Sequence, residues 1–144
     1  MDANSIYLYA HILWRIKEGA QVLKPAECQA TAGTIKQAAA AKAMDTLAMA
    51  VLPDHVHLLL KLQPIQSLHQ LVQPLMQETE RFIQTIRVDQ LEFGWDEAYF
   101  AFSISPNTVS KAKDYIGRQA DMHQQLSVEA ELEKMLAMVA ADAH

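Results

Sequence analysis

The segment that most narrows what this chain can fold into is Pro53-Asp54 followed by the short apolar run His55–Leu62, His-Val-His-Leu-Leu-Leu-Lys-Leu. A brief apolar stretch entered from a Pro-Asp turn reads as a buried strand. Side chains alternate between the faces of a strand, so His55 and His57 point one way and Val56 the other. Two imidazoles side by side on a sheet face are half of a metal site. They are equally the pattern of two structural histidines satisfied by hydrogen bonds at a sheet edge, and the H-x-H spacing alone leaves both readings open.

A second cluster lies downstream in Lys111-Ala112-Lys113-Asp114-Tyr115-Ile116-Gly117-Arg118-Gln119-Ala120-Asp121-Met122-His123. On a helix, Tyr115 and Gln119 stand at i and i+4 and share a face, with Lys111 and His123 one turn further either way. By itself this is an interfacial tyrosine beside a solvated glutamine. Joined to the histidine pair it supplies two imidazoles and an amide oxygen as neutral ligands, next to a hydroxyl able to act as a nucleophile.

The rest of the chain alternates strand and helix patterns. Residues 5–16 read as a first strand, and 26–44 as an Ala-rich helix that Gly33 interrupts or divides. Residues 46–52 form a second strand, joined through the Pro-Asp corner to the histidine strand. Ser67 is placed to cap a helix with apolar residues at helical spacing from Leu68 to Ile86, which Pro74 should kink or divide. Residues 98–105 form a fourth strand, and Ser105-Pro106-Asn107 turns into the Tyr115 helix. Ser127 caps a last helix, about 127–141, whose Met135, Leu136 and Met138 read as core or dimer packing. The order β-α-β-β-α-β-α-α implies an α+β fold, an antiparallel sheet with helices packed on it.

The length of 144 residues suits one domain, residues 1–144. The single Cys28 fits a reducing compartment, and neither a membrane-spanning run nor a signal pattern is present, so a cytoplasmic protein is expected. Twelve Lys and Arg against seventeen Asp and Glu give a net charge of −5, unusual for a protein that grips phosphates. Residues 127–144 hold Glu129, Glu131, Glu133 and Asp142 against Lys134, and without them the balance is eleven against thirteen. A locally positive groove remains compatible with that sum.

Four segments in order resemble one known family. They are Tyr7-Leu8-Tyr9-Ala10-His11-Ile12-Leu13-Trp14-Arg15-Ile16-Lys17, the Pro-Asp-His-Val-His-Leu-Leu-Leu segment, Phe93-Gly94-Trp95-Asp96-Glu97-Ala98-Tyr99-Phe100-Ala101-Phe102-Ser103-Ile104-Ser105, and Tyr115-Ile116-Gly117-Arg118-Gln119 with His123. Together they are similar to the small single-tyrosine transposases of the IS200 type, including the REP-associated members, within the HUH endonucleases. The resemblance implies a ferredoxin-like or RRM-like sheet with the histidine strand central. It implies a DNA transposase, or single-strand DNA endonuclease and religase, with Tyr115 as nucleophile and a 5′-phosphotyrosine intermediate. His55, His57 and Gln119 become the ligands of a divalent metal, Mg²⁺ or Mn²⁺, and the histidine counterpart at His123 has no assigned role. The partners it implies are single-stranded DNA or a DNA hairpin and a second copy in a homodimer, with nucleoid association when DNA is bound.

Lys111, Lys113 and Arg118 beside the nucleophile, and Lys36 and Lys42 on the first helix, are the candidate DNA contacts, each equally readable as a solvated face. Trp14, Trp95 and Tyr99 are open to base stacking or burial. One departure from the family pattern stands out: Ser67 to Glu80 contains no Lys or Arg and carries Gln77-Glu78-Thr79-Glu80 where basic residues are expected. That feature and the acidic balance fit an alternative, a domesticated non-cutting DNA-binding or scaffold protein of the same fold. A third reading is a hydrolase of small phosphoesters using metal-bound water.

Overall fold

The computed structural model describes residues 5–87, 92–123 and 127–142. Its elements in chain order are β1 (Leu8–Ile16), α1 (Pro25–Ala41), β2 (Asp45–Val51), β3 (His55–Leu62), α2 (Leu68–Ile86), β4 (Trp95–Ile104), a short 3₁₀ turn (Pro106–Thr108), α3 (Val109–Gly117), α4 (Gln119–Met122) and α5 (Val128–Asp142). The four strands form one antiparallel sheet in the order β2-β3-β1-β4. With β1 and β3 in the centre, β1-α1-β2-β3-α2-β4 is the ferredoxin-like, RRM-like arrangement. The histidine strand spans the expected residues and is central.

The strand period divides the sheet into two faces with different tasks. Ala10, Ile12 and Trp14 of β1 and Val56, Leu58 and Leu60 of β3 face one way and join Ile35, Leu75 and Ile83 from α1 and α2 in the main core. On the opposite face Leu13 packs with Val128 and Leu132 of α5, flanked by Phe100 of β4. His11 shares that second face with His55 and His57. The first six residues of β3 are buried, because helices cover both sides of the strand, which explains its nearly unbroken apolar run. Among the described residues no helix is long and apolar enough to cross a membrane.

Two local expectations give way to tertiary structure. Gly33 does not interrupt α1, which runs unbroken from Pro25 to Ala41 because packing of Ile35, Ala38 and Ala39 outweighs the roughly 1 kcal/mol cost of an interior glycine. Pro74 does not divide α2 either. The carbonyl it leaves without a partner belongs to Gln70, an exposed residue where water replaces the lost bond. Ser67 holds the N-cap position of α2 without a side-chain capping bond, whereas Ser127 Oγ does accept from Ala130 N at 3.2 Å.

The Gln77-Glu78-Thr79-Glu80 stretch is consumed by the fold. Glu78 pairs with Lys42 at 2.7 Å, Thr79 Oγ1 accepts from Trp95 Nε1 at 3.0 Å, and Glu80 Oε1 accepts from Trp95 N at 2.8 Å. These contacts fasten β4 and α1 to α2 on the face away from the histidines. Trp14 and Trp95 lie buried edge to face with centroids 6.0 Å apart, so neither is available to stack on a base.

Leu58, at 0% exposure on the core face of β3, and Ile65, 97% exposed, make a controlled pair. Leu58→Ala should lower unfolding free energy by about 2–5 kcal/mol, and Ile65→Ala by no more than about 0.5 kcal/mol, in urea titrations. Equal effects would contradict the assignment of faces.

Candidate functional site

The site is built on the β1–β3 pair. Leu13 faces His57 and His11 faces Leu59, so His11 and His57 are diagonal neighbours on one face. Their rings meet through His11 Nε2 and His57 Nδ1 at 2.7 Å. Two residues earlier on the same strand, His55 Nδ1 donates to Asp54 Oδ1 at 2.6 Å. Both H-x-H imidazoles are thereby held by their Nδ1 atoms, the usual way a protein orients a histidine so that Nε2 is offered to a cation. Both are fully buried.

From the other side α3, α4 and α5 close on these rings. The helix carrying Tyr115 bends at Arg118, so Tyr115 lies in the last turn of α3 while Gln119 begins α4, yet His123 N still donates to Gln119 O at 3.0 Å. Tyr115 lies edge-on to His57 and His11, with ring centroids 6.1 and 5.9 Å away. Gln119 Oε1 is 2.8 Å from His123 Nε2 and 3.4 Å from His55 Nε2, so its amide oxygen faces the imidazoles.

Glu131 of α5 stands at the centre, 1% exposed. Its two oxygens serve different neighbours. Oε1 lies 3.0 Å from His123 Nε2, 3.4 Å from His57 Nε2 and 3.7 Å from His55 Nε2. Oε2 accepts from the Tyr115 hydroxyl and, at 2.8 Å, from Gln119 Nε2. Burial alone would raise the Glu131 carboxyl, but the neighbouring His57 imidazole and hydrogen bonds from Tyr115 and Gln119 hold it well below the usual range. Tyr115 moves the opposite way, raised by burial and by the adjacent carboxylate, so its phenol stays protonated at neutral pH. Burial and then neighbouring His57 lower His11 to about 4.

The donor set fits a divalent cation. One ligand atom from each of His55, His57, His123 and Glu131 lies within 4.8 Å of all the others. Donors sharing one cation at about 2.1 Å stand no more than about 4.2 Å apart, so the cluster needs only a small contraction. His57 Nε2 is the telling atom: it is buried, without a hydrogen-bond partner among the described residues, and at 3.4 Å its contact with Glu131 is electrostatic. A buried imidazole nitrogen is rarely left so unless something is meant to bind it.

Of the residues expected from the sequence, His55, His57, Tyr115 and Gln119 come together within one chain, and His123 joins them. Lys111 and Arg118 flank Tyr115 on one hollow, with Arg118 paired to Asp114 at 2.8 Å, while Lys113 is exposed elsewhere on α3. Lys36 is on α1 and Lys42 at its C-terminal cap, across the sheet from Tyr115, and Lys42 is engaged by Glu78. Sequence reasoning missed Glu131 and His11. Glu131 did leave a signal, since it falls on the stripe set by Val128, Leu132 and Met135, where an apolar residue is expected.

Because folded His11 titrates near 4 and an unfolded histidine near 6.5, the unfolded chain binds the extra proton between those values. Stability is therefore fully present above pH 6.5 and is lost as pH falls toward 4, by on the order of 3 kcal/mol. Urea midpoints in EDTA from pH 7 to 5 should show this decline, and His11→Gln should flatten it. Identical slopes in the two proteins would contradict the buried neutral imidazole.

Comparison with known proteins agrees with this geometry. The family model described as transposase IS200-like matches residues 4–119. The ISDra2 transposase TnpA of Deinococcus radiodurans is 29% identical over 116 residues, covering 77% of this chain and 83% of that protein. A crystal structure of a protein from Deinococcus radiodurans R1 assigned as a transposase superposes with a TM-score of 0.64 at 22% identity, covering 83% of this chain and 95% of that one. A REP-associated tyrosine transposase bound to a REP hairpin gives 0.62 at 15% identity, covering 85% of this chain and 74% of that one. The two structures share the fold; the family match and the sequence relative carry the assignment, and the chain belongs to the IS200-like single-tyrosine transposases of the HUH endonuclease group.

Proposed function

We propose that this chain cuts and rejoins single-stranded DNA, with Tyr115 as the nucleophile. The observation that carries the reading is the Glu131 carboxylate, which touches the phenol with one oxygen and the imidazole cluster with the other. Nucleophile and ligand set are separated by a single carboxylate, close enough to act on one phosphorus atom.

On this reading Tyr115 Oη attacks a phosphodiester, the O–P bond forms and the bond to the 3′-oxygen breaks. The products are a 5′-phosphotyrosine and a 3′-hydroxyl that takes its proton from water. The phenol proton leaves along its hydrogen bond to Glu131 Oε2, which hands it on to water rather than keeping it. Rejoining reverses these transfers and needs no nucleotide cofactor. His55, His57, His123, Glu131 and the amide oxygen of Gln119 would hold a divalent cation, Mg²⁺ or Mn²⁺, with this nitrogen-rich set favouring Mn²⁺. Bound there, such an ion supplies Lewis acidity that neutralises a phosphate oxygen. Asp54 and His11 orient the imidazoles. Tyr115 and the histidines meet within one chain, which supports assembly of the site in cis. A relative of the same fold is bound to a REP hairpin, which supports a single strand or hairpin as the target here.

The test is formation of an SDS-stable adduct between the full chain and single-stranded oligonucleotides from the DNA flanking its gene, with Mn²⁺ or Mg²⁺. The wild type should form it and Tyr115→Phe should not. Glu131→Gln, which keeps the shape but loses the proton acceptor, should slow it by about 100-fold or more. An adduct persisting in Tyr115→Phe removes that residue from the role, and phosphodiesterase turnover in the same variant would favour hydrolysis by metal-bound water.

A further inference from the structure

A hollow of about 720 Å³ opens between α3 and α5 directly outside Tyr115, within the usual range for small-ligand sites. Its floor is apolar, formed by Ile104, Met122, Met135 and Met138, while Lys111 and Lys134 stand at its edge and Tyr115 closes its inner end. Met138 is 67% exposed and, with Leu136 and Val139 next to it at 46% and 52%, leaves more apolar surface on α5 than packing of that helix accounts for. At the rim Asp114 is neutralised by Arg118 at 2.8 Å, whereas Lys111 and Lys134 take part in no ion pair among the described residues.

A ligand matching this surface has a flat apolar body, a negative edge and a phosphorus atom beside a phenol. We infer that the hollow seats the base flanking the phosphate attacked by Tyr115, with that base lying on Met122, Met135 and Met138 and the adjoining backbone phosphate on Lys111 and Lys134. This rests on the proposed function and extends it to a substrate-binding surface. Methionine suits such a task because its unbranched, polarizable side chain adapts to differently shaped apolar partners. The seat should thus accept any base, giving affinity without sequence reading, as stacking surfaces do for single strands. A second copy of the chain is the weaker occupant. The free charges at the rim are cationic, and the two carboxylates of the lining are already engaged, Asp114 by Arg118 and Glu131 by Tyr115 and Gln119, so a symmetric copy would bring no free carboxylate to meet them.

The experiment uses the full chain carrying Tyr115→Phe, in EDTA, so that binding is read without chemistry, and with ¹³C-methyl methionine. Oligothymidylate is compared with an abasic oligomer of the same length and charge. The methyl signals of Met122, Met135 and Met138 should shift with oligothymidylate and not with the abasic strand, while those of core Met44 and Met76 stay fixed. Oligothymidylate should bind about tenfold tighter than the abasic strand by fluorescence anisotropy, and Met138→Ser, which removes the apolar surface without adding charge, should erase most of that difference while leaving salt dependence unchanged. Equal affinity for the two strands overturns the inference, as do absent binding, unmoved methyls during binding, or methyl shifts that track protein concentration without DNA. Methyl shifts in a protein whose wild type forms no adduct would keep the seat while removing the transferase reading; an adduct without shifts would do the reverse.

Discussion

Because Leu13 pairs with His57 and Arg15 with His55 across the middle of the sheet, one register decides where three imidazoles go. A slip of one residue would send the β3 histidines into the main core and Val56 and Leu58 to the face beneath α5. Burial on both faces excludes that slip, since the apolar residues of the core face have no other place to be covered. The antiparallel β1–β3 contact is thus at once the centre of hydrophobic stabilisation and the template of the site. His11 enters the cluster only through this contact, as the diagonal neighbour of His57.

What the sheet offers, α5 completes. Val128 and Leu132 dock the helix on Leu13, and the same face inserts Glu131 among the rings. A lone carboxylate at this depth would be costly to bury, but donors from Tyr115, Gln119 and His123 surround it. The carboxylate in turn organises its donors, placing the phenol within reach of the imidazole cluster. Its charge beside the buried histidines also adds to the site's preference for a cation. Net charge of the whole chain is a poor guide to such a place, because several of the acids are tied up locally. Glu78 holds Lys42, Glu80 holds the backbone of Trp95, and Glu131 sits inside the site.

The parts legible in the sequence were those fixed by short-range chemistry. The bounds of β3 follow from a Pro-Asp corner and an apolar run, and the facing of His55 and His57 from strand period alone. Tyr115, Gln119 and His123 kept their common side even though the helix bends between the first two, because the backbone bond from His123 to Gln119 survives. Gly33 and Pro74 misled because intrinsic preference was set against packed helices whose burial is worth more. His11 and Glu131 stayed hidden for a different reason: their roles depend on strand register and helix docking, which are long-range. Both Glu131 and His123 also lie past the residues 4–119 matched by the family model.

The central claim is that a single cation site is shared by β3, α4 and α5 at the phenol of Tyr115. Anomalous diffraction at the manganese edge from crystals of the full chain grown with Mn²⁺ tests it most directly. The account predicts one strong peak bounded by His55 Nε2, His57 Nε2 and Glu131 Oε1. A peak elsewhere, or none in crystals where those three side chains keep the positions described, would contradict it.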